Sequence, residues 1–223
     1  MLSKKFALSI AAGLLAATAA QAEVIYSEDF STSGSASGSA YTQVGQGANT
    51  SPGTYGIVSN PADAFTNPYQ SFFDHTTGTS DGRMLFFDGA YTQTSLWSQV
   101  FDLESGVTYT FSFWARAGSW NYPTIGLYVD GVSTGELLYT VLDDWTQFLY
   151  TFTPIASGQS TFMLASLPFT GSGNDGAIDD IVLSRPDQQT PANPVSAPGS
   201  ALLLGIGAIS MGLASRRKKG DSA

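Results

Sequence analysis

The sequence predicts an all-β protein, an antiparallel β-sandwich, on three observations. Through the middle of the chain apolar residues recur at every second position. Glycine-bearing turns cut that alternation into short runs, and no stretch between the ends carries a 3.6-residue apolar stripe. In chain order the runs are 24–30, 83–87, 96–101, 107–117, 125–129, 136–142, 148–152, 161–167 and 177–183. The clearest is 107–117, where Val107, Tyr109, Phe111, Phe113 and Ala115 take one face and Thr108, Thr110, Ser112, Trp114 and Arg116 the other. Ile125, Leu127 and Val129 alternate with Thr124, Gly126 and Tyr128, and Phe148, Tyr150 and Phe152 repeat the pattern after Trp145. Asp88-Gly89, Ser105-Gly106, Asp130-Gly131, Ser157-Gly158 and the polar stretch 171–176 supply the turns. Residues 31–60, rich in Gly, Ser and Thr, read as loops holding one or two weak strands.

Both ends break this pattern. Lys4-Lys5, an apolar stretch over 6–20 and Ala20-Gln21-Ala22 make residues 1–22 a signal peptide, with an N-terminal signal helix that signal peptidase cuts after Ala22. At the other end, 187–199 form a proline-spotted linker, 200–215 an uncharged run, and Arg216-Arg217-Lys218-Lys219 a basic tail over 216–223. Leu202, Leu203, Leu204, Ile206, Ile209, Met211 and Leu213 decorate all sides of the run, so a docked surface helix with a polar face is excluded. The run is a short C-terminal hydrophobic transmembrane helix, below the ~20 residues of a comfortable span, and the basic tail keeps its end cytoplasmic. Motif, helix and basic stop in that order resemble the sorting tag of the PEP-CTERM proteins of Gram-negative bacteria, in a variant form read as Val195, Ser196, Ala197 and Pro198. The resemblance implies transient inner-membrane insertion, cleavage by an exosortase, and release to the cell surface or extracellular matrix.

What lies between, residues 23–186, is one domain's worth of chain. It has no cysteine, which excludes a disulfide scaffold and thiol chemistry. Sixteen acids stand against Arg83, Arg116 and Arg185, a balance near −13, so nucleic acid is excluded as a partner while neutral glycans and divalent cations are compatible. Residues 96–101 (Leu-Trp-Ser-Gln-Val-Phe), 106–115, Asp144-Trp145 ahead of Tyr150-Thr151-Phe152, and the closing Ile178-Asp179-Asp180-Ile181-Val182-Leu183 are similar to the strands of galactose-binding-like jelly rolls, a group that includes many carbohydrate-binding modules. In that group the first and last strands run side by side. This implies a structural calcium ion between Glu28 and Asp180, since calcium takes all-oxygen sites. Neighbours on a strand point to opposite faces, so only one of Asp179 and Asp180 is expected to serve.

Catalysis finds little support. A triad would hang on His75 alone, no nucleophile elbow or phosphate loop is present, and the adjacent acid pairs Asp143-Asp144 and Asp179-Asp180 are no evident catalytic couple. The aromatic residues that miss the core carry the binding expectation. Trp114, Arg116 and Tyr128 occupy non-core strand positions, and Trp120 and Tyr122 sit in the intervening loop, together a patch for exopolysaccharide or another glycan. The competing reading is that Trp114 fills a second layer or lies beneath a loop, and that the domain is a matrix or adhesion spacer without a ligand.

Overall fold

The computed structural model describes residues 22–168 and 173–186. Among them are β1 (Ala22–Glu28), β2 (Thr42–Gln43), β3 (Thr54–Val58), α1 (Pro61–Ala64), β4 (Met84–Asp88), β5 (Thr94–Leu103), β6 (Tyr109–Ala117), β7 (Thr124–Val129), β8 (Val132–Tyr139), β9 (Thr146–Phe152), β10 (Gly158–Ser166) and β11 (Gly176–Pro186). A seven-stranded sheet runs β2-β3-β4-β11-β6-β9, and a four-stranded sheet runs β5-β10-β7-β8. The long β11 is the axis of the larger sheet. It pairs with β6 on one side, and on the other with β4 at Gly176–Ile178 and then with β1 at Ile181–Pro186. Every pairing is antiparallel except β2 with β3.

The two sheets enclose one aromatic core. On β6 the alternation holds residue by residue: Tyr109, Phe111, Phe113, Ala115 and Ala117 are buried and the residues between them only partly so. Phe111 meets Phe162 of β10 at 5.3 Å and Trp97 of β5 at 6.0 Å between ring centroids, and Phe101 meets Phe162 at 5.5 Å edge-on. Each such ring removes ~150–250 Å² of surface from water, enough to dominate the core.

Expectation and structure part at the outer face of the larger sheet. Val58, Phe65, Phe72, Met84, Phe86 and Ala177 form a second apolar cluster there, with Tyr69 and Trp145 packed on it. Consequently Met84, Leu85, Phe86 and Phe87 of β4 are all fully buried, as an unbroken apolar run in a sheet covered on both sides should be. The cover begins at α1. Its N-cap, Asn60, accepts from the Ala62 amide, Pro61 sits in the first turn where a missing N–H does no harm, and Asn60 also donates to Ser71 Oγ at 3.0 Å. Neither this turn nor β2 and β3, the weak strands expected within 31–60, has the length to produce a periodic signal.

From α1 the chain crosses the sheet as a strap, held down by β11. The register of β11 on β6 shifts by one residue between Asp179 and Val182, and Asp180 takes a left-handed φ of 47°. This β-bulge corrects the expectation that only one of the two aspartates serves a given face. Thr76 Oγ1 donates to Asp180 Oδ1 at 2.7 Å and to Asp179 Oδ2 at 3.4 Å, while the His75 amide donates to Asp179 Oδ2 at 2.8 Å. His75 Nδ1 lies 2.6 Å from Asp180 Oδ2. Buried Asp74 braces the same strap through the Thr77 amide (2.6 Å) and hydroxyl (2.8 Å). All of the expected signal peptide (1–22) but Ala22, the sorting motif Val195–Pro198, the apolar run 200–215 and the basic tail lie outside the described residues. Among those described, no helix is long and apolar enough to cross a membrane.

Burial, aided by the Asp180 charge, pushes the Asp179 carboxyl up to about 7 against the amide donors that favour its ionised form. A carboxyl with a higher pKa folded than unfolded binds more protons in the folded state between roughly pH 4 and 7, so its stabilising contribution is lost as pH rises through that window. The melting temperature of the wild type minus that of Asp179→Asn should therefore fall between pH 5 and pH 8. A flat difference would show that Asp179 does not titrate there.

Candidate functional site

The five residues expected to form one glycan patch are divided by the fold. Trp114 does lie on the outer face, but His75 stacks on it at 3.9 Å with the planes 16° apart. Arg116 holds its guanidinium 4.4 Å from the Phe72 ring and donates through Nε to the Leu142 carbonyl at 3.0 Å. Burial lowers its pKa, with Asp143 and Asp144 acting in the opposite sense. Both side chains belong to the packing beneath the strap. Tyr128 is on the other sheet, 9% exposed, its hydroxyl donating to Gln93 at 3.1 Å, so it does not extend the same face. Trp120 and Tyr122 do project, at 76% and 54% exposure.

The expected calcium ligands, Glu28 and Asp180, are hydrogen-bonded within the protein. Glu28 Oε1 accepts from the Phe30 amide at 2.8 Å and Ser33 Oγ at 2.7 Å, and both Asp180 oxygens are engaged by the strap. Among the described residues no group of three or more His, Cys, Asp or Glu is placed to hold a metal.

Trp120 instead overhangs a hollow of about 380 Å³ at one end of the larger sheet, within the ordinary range for small-ligand sites. Four strand ends converge there. Gly53, ahead of β3, donates to the Asp88 carbonyl at 2.9 Å, and Gly118, just past β6, donates to the Asp175 carbonyl at 2.7 Å. Asp88 ends β4 and Asp175 precedes β11, and since Gly176 pairs with Phe87 the two acids stand opposite one another. Alternation sends both side chains to the outer face, in line with Phe86 and Ala177. Tyr69 rests on Phe86 at 4.6 Å, donates to Asp88 Oδ2 at 3.1 Å and is hydrogen-bonded to Thr50 Oγ1. The Gly89 amide donates to Asp175 Oδ1 at 3.1 Å. At the mouth stand Tyr91, 59% exposed, Trp120, Pro52 and Pro68.

The floor is electrostatically tense. Burial first, and the Asp88 charge second, push the Asp175 carboxyl up to about 7. The Tyr69 phenol is raised well above its usual value, again by burial before any neighbouring charge. Among the described residues no cation lines this hollow. The site therefore offers hydroxyls and carboxyl oxygens below and flat rings above. Sequence reasoning passed over Asp88 and Asp175 because each lies in a glycine turn. The available signal was that Asp88-Gly89 and Asp175-Gly176 both adjoin strand ends.

No protein-family model matches the chain. Among solved structures, the C-terminal domain of EclA, a sugar-binding protein, is similar at 16% identity and a TM-score of 0.39, over 56% of this chain and 87% of that one. The CBM22-1 xylan-binding domain of Paenibacillus barcinonensis Xyn10C is similar at 7% identity and 0.42, over 75% and 97%. A cyclase from Fischerella sp. TAU is similar at 13% and 0.41, over 59% and 73%. Sugar-binding domains and a cyclase share this loose likeness, so the ligand is left to the residues of the site.

The hollow depends on a close backbone approach. A Cβ on Gly89 would stand 2.2 Å from Asn174 Cγ and 2.3 Å from the Asn174 carbonyl oxygen. Gly89→Ala should destabilise the protein by about 1–3 kcal/mol in denaturant melts. Gly34→Ala, with nothing within 4 Å, should stay within about 0.5 kcal/mol.

Proposed function

We propose that this is an exported protein, cut by signal peptidase and an exosortase and displayed at the surface or in the extracellular matrix of a Gram-negative bacterium, whose β-sandwich binds a glycan without catalysis. One observation carries the binding reading: the hollow sets two exposed rings, Tyr91 and Trp120, beside hydroxyl and carboxyl oxygens fixed by backbone and side-chain hydrogen bonds. A sugar presents an apolar face to rings and hydroxyls to oxygens, and this arrangement answers both. With acids but no cation among the described residues that line it, the site suits a neutral polymer better than a uronate or sulfate. Asp88 and Asp175 stand opposite one another where β4 meets β11, and the Asp88 charge helps to raise the Asp175 carboxyl. His75, the one candidate base, is spent clamping the strap.

Export rests on the two ends of the sequence. Intact-mass analysis of protein extracted from the cell surface should give a chain beginning at Glu23 and ending near 195–198. A species retaining Arg216–Lys219 in cells with an active exosortase contradicts the sorting reading.

Trp120→Ala should weaken retention in polysaccharide-loaded native gels by about tenfold or more while leaving the melting temperature nearly unchanged, since the ring packs against little. Unaltered retention on every polysaccharide tested would leave the domain a spacer. Turnover of any polysaccharide in the panel would replace binding by catalysis.

A further inference from the structure

Tyr122 does not share the hollow of Trp120. It lines a second one, of about 180 Å³, with Pro123, Thr124, Tyr139, Pro168 and Asn174, and Asn174 lines both. We infer that the two hollows are consecutive subsites of one groove, so that the protein grips a run of several sugars rather than a single one. This rests on the glycan reading of the first hollow and adds a second place of contact.

Three observations carry it. Among the described residues five aromatic side chains are markedly exposed: Phe73, Tyr91, Trp120, Tyr122 and Tyr139. All but Phe73 line these two hollows, with Tyr122 at 54% and Tyr139 at 67% exposure. Rings exposed one by one need no explanation, but four of five gathered along one line of surface mark a contact face. Second, the backbone beneath the rings is fixed. The Asn121 amide donates to the Gly173 carbonyl at 3.0 Å, Thr140 Oγ1 to the Pro123 carbonyl at 3.0 Å, and the Leu167 amide to the Thr124 carbonyl at 2.9 Å. Tyr139 stands opposite Thr124 in the β7–β8 register. Rings mounted on paired strands and pinned loops lose little freedom when a ligand arrives. Third, 180 Å³ alone falls below the ~300 Å³ at which small-ligand pockets begin. The second hollow is too small to be an independent site and shares Asn174 with one that is large enough.

The occupant is accordingly a chain of several sugars that crosses Asn174 and lays one face on Trp120 and another on Tyr122 and Tyr139. Calorimetric titration of the purified protein with β-1,4-linked xylo-, gluco- and galacto-oligosaccharides of two and six sugars tests it. In the series that binds, the hexamer should bind roughly tenfold or more tightly than the dimer. Tyr139→Ala should remove most of that gain and leave dimer binding as it was, whereas Trp120→Ala should weaken both. Equal affinity for dimer and hexamer, or a Tyr139→Ala variant indistinguishable from wild type on the hexamer while Trp120→Ala fails, overturns the second subsite and keeps the first. Absence of binding in all three series overturns the glycan reading itself. Tyr139 is solvent-exposed, and an unchanged melting temperature confirms that the variant is folded.

Discussion

The structure depends on how the strap is tied to the last strand. A sandwich of this kind needs its larger sheet covered only on the inside. Here the outside is covered as well, and the tie is a bulge that turns two successive aspartates toward one loop. Asp179 is fully buried and accepts from two loop amides, while Asp180 takes the Thr76 hydroxyl and the His75 ring. His75 is then positioned flat on Trp114. Without those contacts the second apolar cluster would open to water. Because they are made, the sheet face around Trp114 is covered, while the hollow at the strand ends stays open.

Two of the buried carboxyls, Asp175 just ahead of β11 and Asp179 within it, are given different roles by their surroundings. Asp175, Ala177 and Asp179 follow one another at alternate positions on the outer face of β11. Each acid is raised to about 7, and in each case burial is the larger cause and a neighbouring aspartate the second. Asp179 has backbone donors from a loop lying across it, so its charge-favouring hydrogen bonds serve to hold that loop. Asp175 has one amide donor, from Gly89, and a hollow above it. Buried carboxyls cost stability unless their lone pairs are filled. At Asp179 the strap fills them, whereas Asp175 lines an open hollow.

Much of this was legible in the sequence. The nine runs became strands: alternation over five or more residues reports a half-buried sheet directly, and the unbroken apolar run at 83–87 a strand covered on both faces. The outer face of β6 was assigned correctly too: Trp114 and Arg116 are where period two places them. Their exposure was not legible, since it is decided by residues 60–82, whose aromatic residues Phe65, Tyr69 and Phe72 follow no period and pack by tertiary contact alone. Tyr128 was misplaced because alternation gives the face of a strand and not the sheet to which the strand belongs. The bulge at Asp179 and Asp180 suspends alternation where the argument about the two acids relied on it. Trp120 and Tyr122 were recognised as projecting because Gly118 and Pro123 mark a loop. Their distribution over two hollows follows from long-range pairing with Gly173 and Thr140, beyond reach of local pattern.

The central claim is that ligand contact is confined to the strand-end rim and excluded from the covered face. Amide hydrogen exchange of the protein with and without a retained polysaccharide tests it most directly. The account predicts added protection at 88–91, 119–124 and 173–175, with exchange at 112–116 and 74–77 unchanged. Protection appearing at 112–116 and 74–77 while the rim stays as it was would contradict it, because it would mean that the strap lifts and that Trp114 meets the ligand after all.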